Sequence, residues 1–113
     1  MSNQISTTSE EERKRYPIYT SEQWFTMIDP NRDQLIRLLE KKGFKKNFLS
    51  PDGCPRYDFF KNDLILEAGI FTDHVNFKIR EKGKPTKFFA TYYFTEFGGS
   101  KPEKILNYLI STL

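Results

Sequence analysis

VNFKIR, residues 75–80, alternates apolar and polar side chains without exception. That is the signature of a strand with one wet face. Lys82, Gly83, Lys84 and Pro85 come next as turn chemistry, and TKFFATYYFT, residues 86–95, reads as a long partner strand. Working backwards, Thr72, Asp73 and His74 make a turn, and Leu64 to Ile70 alternates again. Lys61, Asn62 and Asp63 turn the chain out of PRYDFF, residues 55–60. Ser50, Pro51, Asp52 and Gly53 turn it out of FKKNFL, residues 44–49. Every connection is too short for a crossover, so the strands should form an antiparallel meander.

Helices flank this block. Thr20 and Gln23 have capping-box spacing, which predicts a short helix through Trp24, Phe25 and Met27. Asp29 then suits the cap of a second helix and Pro30 its first position. Leu35, Ile36, Leu38 and Leu39 form its apolar stripe, and Gly43 is a left-handed stop after Lys41 and Lys42. Beyond Gly98 and Gly99, Ser100 and Glu103 repeat the capping spacing. Ile105, Leu106, Leu109, Ile110 and Leu113 lie on one stripe of a last helix. The expected fold class is α+β: a meander of four to five strands packed against N-terminal helices and one C-terminal helix.

The 113 residues fit one domain, expected over 16–113. Residues 1–15 are nearly devoid of apolar side chains and read as a disordered arm. They lack the apolar segment of a signal peptide. A single cysteine, Cys54, precludes an internal disulfide and favours a reducing, cytoplasmic setting. No apolar run is long enough to span a membrane. Eighteen basic and fifteen acidic residues give a net charge of +3, well short of a dedicated nucleic-acid protein. Aromatic residues make up 16% of the chain, so rings should dominate the core.

Strand parity assigns the faces. Leu64, Leu66, Ala68, Ile70, Val75, Phe77 and Ile79 share an inner face with Tyr57, Phe59, Phe88, Ala90, Tyr92 and Phe94. The other face gathers Phe60, Ile65, Phe89 and Tyr93 with Asn76, Lys78 and Arg80. The candidate binding residues are therefore Phe60, Lys78, Arg80, Lys82, Lys84, Lys87, Phe89 and Tyr93. Rings beside cations can seat a protein partner, or can stack bases while pairing phosphates. Helices covering both faces, or a sheet-to-sheet dimer, would instead bury these rings. Lys41, Lys42, Lys45 and Lys46 form a second basic patch. Both lysine groups also fit a solvated edge that resists aggregation.

Signs of catalysis are few. His74 is the one histidine, expected beside Asp73 in a solvated turn. Cys54 has no CxxC partner and the zinc spacings are missing. Asp58 and Glu67 should meet across neighbouring strands, where Arg56, Lys78 and Arg80 make ion pairing the favoured reading. The glycines at 98 and 99 open a helix but lack the phosphate-loop spacing. From residue 44 to 113 the order of strands then helix resembles, in topology alone, the PUR and Whirly modules that bind single-stranded DNA. No motif of theirs is matched residue by residue.

The expectation is a non-enzymatic accessory factor of assembly or inhibitor type, without cofactor or metal, using the aromatic sheet face. Its partner would be a protein or a second copy. Single-stranded DNA or RNA is the alternative.

Overall fold

The computed structural model describes residues 18–47 and 55–113. The expected arm and Cys54 lie outside the described residues. The first helix opens as expected. Thr20 Oγ1 accepts from the Gln23 amide, and the Gln23 side chain accepts from the Thr20 amide.

Downstream, one helix stands where the sequence predicts two. Ser21–Gln23, a π-helical turn over Trp24–Ile28, and Asp29–Lys41 run on as one helix, α1. Pro30 lacks a donor, and its ring would crowd the preceding turn. The wider π turn, in which the Asp29 amide reaches back to the Trp24 carbonyl, takes up that conflict. Asp29 is therefore helical and caps nothing. Its buried carboxylate accepts from Arg32 at 2.7 Å, and Arg32 also donates to the Thr72 carbonyl at 2.6 Å. The pair ties α1 to the turn before the fourth strand. Gly43 stops α1 at φ +98°. Its amide bonds Glu40 O and the Phe44 amide bonds Leu39 O, the paired closure that needs a left-handed residue.

The five strands are β1 (Lys45–Asn47), β2 (Arg56–Lys61), β3 (Leu64–Ile70), β4 (His74–Glu81) and β5 (Thr86–Tyr93). They pair antiparallel in sequence order, which is the expected meander. The register confirms parity: Leu66 faces Ile79, Ala68 faces Phe77, and Phe77 faces Ala90. β5 ends two residues early. Phe94–Glu96 form a 3₁₀ turn because the Asn31 side chain donates to Phe94 O at 2.7 Å and Phe97 O at 2.8 Å. Phe94 thus enters the core from a turn rather than from the sheet.

The last helix, α2 (Lys101–Ser111), starts without the expected capping box. Glu103 turns instead to Lys42 of α1, 3.5 Å away. Leu106 and Leu109 are fully buried. The core unites Trp24, Ile28, Leu35 and Leu39 of α1, these α2 leucines, and Tyr57, Leu66, Val75 and Phe77 of the sheet. Both helices therefore lie on one side of the sheet. Among the described residues no helix covers the other side. No described helix is long and apolar enough to cross a membrane.

Candidate functional site

The uncovered face is laid out by the register in four rows across the strands. His74 pairs with Tyr93 at one end. Next come Asn47, Arg56, Gly69, Asn76 and Thr91, then Lys45, Asp58, Glu67, Lys78 and Phe89. Phe60, Ile65, Arg80 and Thr86 close the other end. Phe60 is 59% exposed, Phe89 57% and Tyr93 46%. The expected rings and cations do share one face, but the rings are divided. Phe60 on β2 lies three strand intervals, about 14 Å, from Phe89 on β5.

Between them runs a charge ladder. Asp58 and Glu67 stand opposite each other on β2 and β3 and are buried. Carboxylates at such depth require cations. Arg56 reaches Asp58 at 3.1 Å and Glu67 at 3.9 Å, Arg80 donates to Glu67, and the Asn47 amide donates to Asp58 at 3.3 Å. Hydrogen bonding to Glu67 holds the Arg80 guanidinium above its ordinary pKa. The pairing inferred from sequence is thus realised, and it neutralises the middle of the face.

The 81–87 hairpin behaves alike. Glu81 contacts Lys84 and Lys87, each at 2.9 Å. Both ammonium groups hold its carboxyl below the usual range. Of the five hairpin cations, Arg80, Lys84 and Lys87 are therefore engaged. Lys78 lies 5.9 Å from the centre of the Phe89 ring, a cation–π distance, and Lys82 is exposed. The second basic patch does not form one surface. Lys41 is exposed on α1, and Lys42 bonds Asn107 at 2.7 Å. Lys45 and Lys46 point to opposite faces of β1 by register.

Sequence reasoning missed the end of the face at the 71–74 turn. Asp73 is buried rather than solvated. It accepts from Tyr19 Oη at 2.9 Å and pairs with His74 Nδ1 at 2.7 Å. The His74 ring stacks on Phe71, centroids 4.7 Å apart, and lies 5.6 Å from Tyr93. A Cβ on Gly69 would come within 3.4 Å of the Phe71 ring. The signal was present: Gly69 and Phe71 continue the outer parity of β3 past the strand end. At the opposite corner, Lys78, Thr86, Lys87, Phe88 and Phe89 line a shallow depression of about 430 Å³. Phe88, expected inside, is partly exposed there.

Among the described residues no group of three His, Cys, Asp or Glu side chains could hold a metal ion. Searches of protein-family models, curated proteins and solved structures found no match. The resemblance to PUR and Whirly modules therefore rests on strand order alone.

Proposed function

We propose that this protein is a small non-enzymatic binding factor that engages a protein partner through the uncovered face of its sheet. The carrying observation is the exposure of Phe60, Phe89 and Tyr93 on the face opposite both helices. Magnitude shapes the reading. Covering the exposed halves of three rings removes roughly 300 Å² from water, worth about 7 kcal/mol gross. Association costs on the order of 4–15 kcal/mol. The rings alone give weak binding, so exposed polar groups among them, Lys78 beside Phe89 foremost, would have to find polar partners. A protein surface supplies both kinds of contact.

The internal neutralisation of Arg56, Arg80, Lys84 and Lys87 favours protein over single-stranded nucleic acid. Phosphate binding draws its strength from unpaired cations that release counterions, and those four are already occupied.

Affinity capture with the purified chain, in extract of its source cells, tests the reading. The predicted result is a discrete protein partner that resists high salt. It should be lost when Phe60, Phe89 and Tyr93 are all changed to Ser, but kept when Tyr108 on α2, 63% exposed, is changed to Ser. Capture that disappears on nuclease treatment would transfer the role to nucleic acid.

A further inference from the structure

Among the described residues β5 is the last strand of the sheet and no strand pairs with its outer edge. The Phe94 amide bonds Asp73 O, and the Phe71 amide bonds His74 O, both at 2.9 Å. These two bonds fix the alternation of the β4 and β5 ladders. Phe88, Ala90 and Tyr92 turn their N–H and C=O groups toward β4. Phe89 and Thr91 turn theirs outward. Tyr93 does too, but its amide already meets the Glu96 carboxylate at 3.4 Å. No charged residue and no proline stands between Phe88 and Tyr93. The usual guards of an open edge are confined to one end, where Lys87 sits at an irregularity opposite Arg80.

We propose that this edge pairs antiparallel with β5 of a second copy, about a two-fold axis passing at Ala90. Such a register joins Phe89 of each chain to Thr91 of the other by main-chain hydrogen bonds. It sets the Ala90 methyls against each other at the axis, as a non-hydrogen-bonded pair. Phe88 falls opposite Tyr92 of the second copy, and Lys87 opposite its Tyr93. The 430 Å³ depression lies along residues 86–89, and Phe88, one of its lining residues, then meets the incoming Tyr92 on the helix side of the joined sheet. An axis at Phe89 would instead pair Thr91 with Lys87 at the irregularity, and an axis at Thr91 would pair Phe89 with Tyr93, whose amide already meets Glu96. Pairing closes at two chains. The other rim of the sheet, β1, spans only three described residues and exposes Lys45 and Lys46.

This association uses main-chain groups and does not rest on the outer-face reading. Sedimentation equilibrium between roughly 5 and 500 µM tests it, because dimer population tracks concentration by mass action. The expected mass rises toward twice the 13.4 kDa of one chain. Thr91→Pro removes an outward N–H without touching the β4 ladder, and Thr91→Lys places a cation at the edge. Each should weaken dimerisation by about tenfold or more, with far-UV circular dichroism confirming the fold. Should the proline variant not fold, the lysine variant decides alone. In a Cys54→Ser background, Ala90→Cys should cross-link on oxidation, because the axis pair brings Cβ atoms within about 5 Å. A wild-type mass that stays at one chain throughout overturns the proposal. So does undiminished dimerisation of the folded Thr91 variants, or failure of Ala90→Cys to cross-link. Phe60→Ser should leave dimerisation unchanged, which lets the edge and the outer face fail separately.

Discussion

Replacing Glu67 by Gln keeps size and shape but removes the charge that two arginines share. The Glu67 side chain is 9% exposed, whereas those of Arg80 and Arg56 are 37% and 31% exposed. A fully buried pair broken on one side costs about 3–5 kcal/mol, and an exposed pair about 0–1 kcal/mol. The acid here is buried and its partners reach water, so the expected loss is about 2 kcal/mol, close to that of one charge-assisted hydrogen bond. At roughly 2.1 cal/mol/K of unfolding entropy per residue, that lowers the thermal midpoint by about 8 °C. The urea midpoint should fall by roughly 1–2 M with an unchanged slope. A second readout belongs to function. Arg80 and Arg56 gain freedom to meet phosphates, so binding of a single-stranded oligonucleotide should strengthen at low salt and fade steeply as salt rises. A midpoint shift under about 2 °C would show that solvent, not Glu67, satisfies the arginines. Unchanged oligonucleotide binding would show that neutralisation is not what disfavours nucleic acid on this face.

The same geometry predicts three further outcomes. Asp29→Asn leaves Arg32 buried without its carboxylate and should cost about 3 kcal/mol by urea unfolding, whereas a loss below about 1 kcal/mol would mean that the ion pair is not what anchors α1 to the 71–74 turn. Asn31→Ala deletes both bonds to the Phe94–Phe97 turn and should cost about 1–3 kcal/mol, with the amides of Phe94 and Phe97 exchanging faster by NMR. Glu81 has a folded pKa lowered by Lys84 and Lys87. Its small contribution is thus present above its unfolded pKa of 4.5 and is lost as pH falls through the lower folded value. The Glu81 carboxyl signal should titrate below 4.5, move up toward it in high salt, and stay unmoved by salt only if the clamp is absent.

The sheet was legible because period two is a local signal. Asn76, Lys78 and Arg80 could be placed outside from their neighbours alone, and the turns at 61–63 and 82–85 fixed the strand order. Gly43 was equally plain, since its place after Lys42 needs a left-handed residue. The illegible parts depend on distant partners. Nothing local reveals that Asn31 would hold the carbonyls of Phe94 and Phe97 and so end β5 early. Nor does the sequence near Pro30 reveal that a π turn would carry α1 through it. Glu103 has ideal spacing to cap α2 but lies beside Lys42, sixty-one residues away in sequence. On the candidate site, membership of the face came from parity. The division of its rings did not, because that depends on which residues stand opposite across four strand pairs.

The claim that the face opposite the helices is the contact surface is tested most directly by photocrosslinking in the source cells. A benzophenone amino acid would replace Phe60, Phe89 or Tyr108, one at a time. The account predicts the same discrete protein adduct from positions 60 and 89 and none from position 108 on α2. An adduct formed at position 108 while 60 and 89 stay silent would contradict it.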